Sequence, residues 1–191
     1  DPVFIKYIDF KKKTVDEMLT KIHNLARSIN PDCAVSTYAT TGVDIVRNES
    51  NSAVDRPLPF WIYNSSDNVG EIEGSYEDKI CSNCCINAVD LPYRFMGVSD
   101  QLNQIRLYGD LANGGTLDWC IIGNFDDYPD RENFDSVRKI FHYHKQYEQY
   151  YGHFSPKTKI MLVKEGDRRE LCAEYRGIFR MLKETHLQFT I

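Results

Sequence analysis

The sequence has no apolar run approaching the roughly 18 residues that a membrane-spanning helix needs, and no signal peptide opens it. Because the first residue is Asp1, an export signal removed with an upstream segment stays open. Basic residues never accumulate beyond Lys11, Lys12 and Lys13, and 23 lysines and arginines against 28 acidic residues leave a net charge of −5. That balance argues against nucleic acid or an anionic membrane as the main partner. There is no low-complexity segment, and 42% hydrophobic with 13% aromatic content in 191 residues is enough to bury a core. A soluble, acidic globular protein is expected.

Metal-ligand patterns are also scarce. His142 and His144 are two apart, so they cannot share a helical face; one is expected partly buried and the other at the surface. Cys81, Cys84 and Cys85 form a CxxCC cluster that could supply three thiolates to zinc, but no second Cys or His pair at comparable spacing follows. Cys33 and Cys120 sit in apparent strands, where cysteine behaves as a small hydrophobe. Reduced thiols in a cytoplasmic protein are the simplest account, with no metal and no cofactor expected.

What the chain does contain is concentrated in residues 43–68. Two short apolar strands each run into polar groups: residues 43–46 into Arg47, Asn48, Glu49 and Asn51, and residues 58–63 into Asn64, Ser65, Ser66 and Asp67. Strands that end in carboxylates, amides and hydroxyls are how an α/β sheet presents a site at its carboxyl edge, although ordinary polar loops have the same composition.

Elsewhere, Thr14, Asp16 and Glu17 predict the cap and first turn of a helix whose apolar residues run at helical spacing to Ile29, with Pro31 beyond. Residues 33–38 predict a strand. Residues 70–97 are irregular, of the kind that covers a site or meets a neighbour. Ser99 caps a helix over 100–113, with Leu102, Ile105, Arg106, Leu107 and Leu111 at periodic positions and Gly114 and Gly115 as its stop. Residues 116–123 form another strand, which runs into Asn124, Asp126 and Asp127. A long helix over 130–151 follows, then a break at Gly152, Ser155 and Pro156, a strand over 158–163 and a helix over 167–183.

The order of elements, and in particular LYGDLANGGTLDWCIIGNFDDYPDRENFDSVRKIFHYHKQYEQYYG, resembles the end of the catalytic barrel in β-galactosidase-like glycoside hydrolases of the family 42 type and the related hypothetical glycosyl hydrolases. FIKYIDF and NPDCAVSTYA are similar to the segment up to and including the fifth barrel strand. The resemblance implies an α/β chain: the C-terminal half of a (β/α)8 TIM-type barrel over 1–152, then the first β-α unit of a flavodoxin-like trimerisation domain over 153–191, related to class I glutamine amidotransferases. A complete barrel needs eight strands, and four are counted here, so the exposed edges favour a homo-oligomer or a missing half.

The implied activity is hydrolysis of an O-glycosyl bond in a carbohydrate substrate, through two carboxyl groups. In that family the acid/base follows the fourth strand, which lies outside this chain, and the nucleophilic glutamate ends the seventh, where FWIYNSSDN puts Asn64. The catalytic candidates are therefore Glu49, then Asp67 and Asp126, with Asn48, Asn51, Tyr63, Asn64 and Asn124 as sugar-binding groups. Trp61 and Trp119 are placed on strands. Alternative roles are an ion pair of Glu49 with Arg47 or Arg56 and loop capping by the two aspartates. A degenerate barrel that binds sugar without cleaving it, or an oligomerisation module using the aromatic segment 143–154, are the other functional readings.

Overall fold

Four short segments alternate small or β-branched residues with polar ones, and they pair as parallel strands in the order in which the chain supplies them. The computed structural model describes residues 2–55, 62–151, 154–164 and 172–191. The strands are β1 (Ser36–Thr37), β2 (Ile45–Ser50), β3 (Ile80–Ile86) and β4 (Thr116–Cys120). Helix α1 (Pro2–Ile29) precedes them, α2 (Asn64–Ser75) joins β2 to β3, α3 (Asp100–Ala112) joins β3 to β4, and α4 (Phe134–Tyr147) follows β4. Helix α5 (Cys172–Glu184) lies near the end of the chain. The result is an α/β architecture with a parallel sheet.

Both crossover helices pack on one face of this sheet. Val46 and Cys81 meet Val69 and Ile72 of α2, while Cys85 meets Leu107 and Leu111 of α3 and Val137 and Ile140 of α4. Leu107 and Leu111 are almost wholly buried, and truncating such a residue to alanine costs about 2–5 kcal/mol. Ser99 caps α3 as expected, its Oγ accepting from the Leu102 amide at 3.3 Å. Past the helix, Gly114 takes the left-handed conformation (φ 96°) that favours glycine at this position.

Between the sheet and α2 and α3 lies a dry polar layer. The Asn83 amide donates to Ser50 Oγ and Ser65 Oγ, both at 3.1 Å, and to Asp110 Oδ1 at 2.9 Å, while its oxygen accepts from Asn68 at 2.8 Å. The Cys85 thiol donates to Asp110 Oδ2 at 3.1 Å. Each group has partners, which is the condition for burying it.

Several expectations are corrected. Thr14 does not begin a helix: α1 is continuous through it, and Thr14 Oγ1 donates to the Phe10 carbonyl at 2.8 Å, as interior threonines do. No residue of α1 is buried. Of the strand expected over 58–63, residues 58–61, which include Trp61, lie outside the described residues, as does Arg56, while Ile62 and Tyr63 form a turn and Asn64 opens α2. Asn, Ser and Asp suit a helix N-terminus as well as a loop, so the same letters served both readings.

The irregular segment expected over 70–97 holds β3, which lies inside the sheet between β2 and β4, because buried cysteine and asparagine serve there in place of branched aliphatics. Its pleat places Cys84 on the face opposite Cys81 and Cys85, so the three thiols cannot converge on one zinc ion.

The strand expected over 33–38 pairs only at Ser36–Thr37, and the one over 116–123 ends at Cys120. The helix expected over 130–151 begins at Phe134 and ends in a 3-10 turn, Glu148–Tyr150. In the C-terminal segment the expected strand is a single bridge, Met161 to Thr190, and residues 167–171 of the expected helix lie outside the described residues. Among the described residues no helix is long and apolar enough to cross a membrane.

Candidate functional site

Side chains alternate across a pleated strand, so the residues that do not face α2 and α3 must line the other face. From β2 these are Ile45, Arg47 and Glu49; from β3, Ile80, Ser82, Cys84 and Ile86; from β4, Thr116, Asp118 and Cys120. Apart from buried Cys84 they are half-exposed, as expected of a face that the crossover helices leave uncovered. The register aligns Glu49 with Cys84 and Cys84 with Asp118, placing two carboxyl groups on one rung across three strands.

Each carboxyl group has its own partners. Glu49 accepts from the Tyr38 hydroxyl on Oε1 and from the Asn51 amide on Oε2 at 3.3 Å. Asp118 Oδ2 lies 3.1 Å from the Arg47 guanidinium and accepts from Ser82 Oγ at 3.3 Å. The bond to Glu49 is the largest influence raising the Tyr38 phenol above its ordinary pKa. Burial pulls Arg47 down, but Asp118 and Cys84 outweigh it and the guanidinium ends above its ordinary value. Burial first, and Asp118 next, push the Cys84 thiol up to about 12, so it is a neutral spacer between the carboxyl groups.

The rim is held from behind by a buried cation. Arg106, on the inward face of α3, donates to the Asn51 carbonyl at 2.8 Å, Ser52 Oγ at 3.0 Å and the Ile86 carbonyl at 3.2 Å. It thus fastens the ends of β2 and β3 together, and with them the residue whose amide holds Glu49. A second polar group closes the end of β3: Asn87 Oδ1 accepts from Asn103 and Asn133, both at 2.9 Å.

Of the residues singled out in the sequence, Glu49 and Asn51 come together. Asn48 points to the opposite face, its amide 3.8 Å from the Cys81 thiol. Asp67, nearly buried, lies on the outward side of α2 and accepts from Tyr175 at 2.7 Å and Lys164 at 3.1 Å. Tyr63 turns to α5, its hydroxyl 3.4 Å from Glu184 and its ring 5.9 Å from Phe179. Asn64 opens α2 and Asn124 lies beyond β4, so both belong to the carboxyl edge by topology. Asn124 is occupied locally, with Asp127 at 3.2 Å and the Asp126 amide at 3.3 Å, and Asp126 is exposed in that turn.

Arg47 pairs with Asp118 and not with Glu49. The aromatic segment from Tyr143 forms an internal chain of rings, Tyr143 to Tyr151 at 6.3 Å and Tyr151 to Phe154 at 6.1 Å. Tyr38, Arg106 and Asp118 were not among the candidates, and Cys84 was weighed only as a zinc ligand. The available signal was a charge inside an apolar strand (Asp118 in TLDWC) and one inside a helix stripe (Arg106).

No family model, curated protein or solved structure matches the chain. The chemistry of the site therefore rests on its own geometry.

Proposed function

We propose that the chain is the site-bearing half of a (β/α)8-type barrel that acts on a carbohydrate as a glycoside hydrolase, with Glu49 as the proton-carrying carboxyl group. The observation that carries this reading is the rung Glu49–Cys84–Asp118 on the uncovered face, at the end of the sheet where α/β enzymes bind ligands. Two interstrand steps of about 4.8 Å set the two carboxyl-bearing backbones roughly 9.6 Å apart, and both side chains rise from the same face of the sheet. In this reading Glu49, which accepts from Tyr38 and Asn51, faces the leaving oxygen, and Asp118, which pairs with Arg47, faces the attacking water.

Helices on one face and a polar opposite face, in sequential parallel order, are what half of such a barrel presents; its other half, or a second copy, would pair with the edge strands.

One observation favours binding without cleavage. The third of the four strands ends at Ile86 and Asn87, and Asn87 is a buried amide, so no carboxylate occupies that strand end. The two readings separate in one experiment on the chain with whatever sequence flanks it in the gene product. Cleavage predicts release of nitrophenol from a p-nitrophenyl β-galactoside and a loss of about 10²–10⁴-fold in Glu49→Gln, with sugar affinity kept. Calorimetric binding of galactose with no turnover supports the binding reading, and full turnover in Glu49→Gln removes Glu49 from the chemistry. Neither binding nor turnover across a panel of aryl glycosides overturns both.

A further inference from the structure

On the far side of the helical layer from Glu49, the C-terminal segment lies along the outward side of α2. Here Gly70 and Gly74 admit the chain close to Ile191, and α5 brings Phe179 against Tyr63. A cavity of about 500 Å³ remains where α2, the end of α3 and this segment meet, within the roughly 300–1,000 Å³ typical of small-molecule sites. Phe154, Phe179 and Phe189 contribute aromatic wall, and Lys183 and Asn113 line the same space.

Two lysines at this boundary make an instructive contrast. Lys164 has Glu71 at 2.6 Å and Asp67 at 3.1 Å, and these carboxylates outweigh burial and raise its pKa. Lys183 donates to the neutral Asn113 Oδ1 at 3.2 Å and lies 5.7 Å from the centroids of both Phe179 and Phe189. Burial alone moves its pKa, downward. Glu73, whose carboxylate also lines the cavity, accepts from the Cys81 amide at 2.9 Å. An ammonium ion has been partly desolvated beside an open cavity, with aromatic faces and an amide where Lys164 has two carboxylates.

We propose that this cavity binds a small organic anion, a carboxylate carrying an aromatic or similarly flat apolar body, with the carboxylate on Lys183 and the ring among Phe154, Phe179 and Phe189. A charge-assisted hydrogen bond in a partly dry site is the strong kind, and aromatic walls favour ring-edge and cation contacts. Lys157 also borders the space and adds to its attraction for an anion. The inference does not rest on the glycosidase reading, since none of the cavity's residues is on the Glu49 face.

The bland alternative is that the Lys183 stem merely covers Phe179, as long cationic side chains often do. Titrating the full chain with 3-phenylpropionate and, separately, with 3-phenylpropanol, followed by calorimetry and by amide shifts of Gly74, Asn113 and Thr190, separates the two. The proposal expects saturable binding of the acid with shifts at those amides, at least about tenfold weaker binding of the alcohol, and about a tenfold or greater loss in Lys183→Met. Lys183→Arg, which keeps the charge, retains binding and controls for folding. Equal affinity for acid and alcohol, unchanged affinity in Lys183→Met, or no saturable shift at millimolar acid would overturn it.

Discussion

Asp110 offers the sharpest test of how the core is held. Its carboxyl group has no exposed surface, and its hydrogen bonds come from the Asn83 amide at 2.9 Å and the Cys85 thiol at 3.1 Å. Arg106, one turn earlier on α3, donates to two carbonyls and a serine. Burial raises the Asp110 pKa well above its ordinary value, and the bonds from Cys85, Asn83 and Ser65 reverse only part of that. The folded protein therefore holds a proton that the unfolded chain releases near pH 3.9. A raised folded-state pKa contributes stability that is fully present below the unfolded value and is lost as pH rises towards the folded one. Within that window the loss is about 1.4 kcal/mol per pH unit. Asp110→Asn keeps the shape, presents an amide to Asn83 and Cys85, and does not titrate. Urea unfolding of both proteins from about pH 4.5 to about pH 8 should show wild-type stability falling relative to the variant as pH rises, with the slope just given at its steepest. A difference that is flat, or that grows in favour of wild type, would mean that Asp110 is charged in the folded state and that the polar layer is wetter than its geometry indicates.

Gly74→Ala should cost about 1–3 kcal/mol, because its Cβ would stand 2.5 Å from the Ile191 carbonyl oxygen, and amide exchange should speed up along the C-terminal segment; unchanged exchange there would separate that segment from α2. Native-state alkylation with iodoacetamide, mapped by mass spectrometry, should modify exposed Cys33 well before Cys81, Cys84 and Cys85, which are buried and, in the first two cases, pushed up to about 12; rapid modification of Cys84 would contradict its place between Glu49 and Asp118.

How much of the fold could be read from the letters depended on what each element uses for its core. Helix α3 was legible because Ser99, its leucines and the Gly114 stop all agree, but of β2 only Ile45 and Val46 were, since Arg47, Asn48 and Glu49 read as residues beyond the strand and lie within it. Strand β3 was not, since its helix-facing side is Cys81, Asn83 and Cys85, and a buried asparagine looks like a loop residue until Ser50, Ser65 and Asp110 are known to meet it. The start of α2 at Asn64 presents the converse difficulty. An apolar run followed by Asn-Ser-Ser-Asp fits a strand end and a helix start equally, and only the tertiary structure decides.

The site was legible to the same limited degree, for a reason that is geometric and not chemical. A strand's own sequence shows that Arg47 and Glu49 share one face and Asn48 the other, but not which face the helices will cover. That choice is made by Val46 and Cys81, which α2 buries; once they turn inward, Glu49 must turn outward and Asn48 cannot join it. The same parity, carried across β3 by the register, brings Asp118 onto the Glu49 rung although 69 positions separate them in the chain. Asp67 fails as a partner on the same grounds: it stands on the side of α2 away from the sheet, where Tyr175 and Lys164 occupy it. The carboxyl pair is thus a consequence of which hydrophobic residues the helices bury, and a substitution that reversed the facing of β2 would dismantle the site without touching either acid.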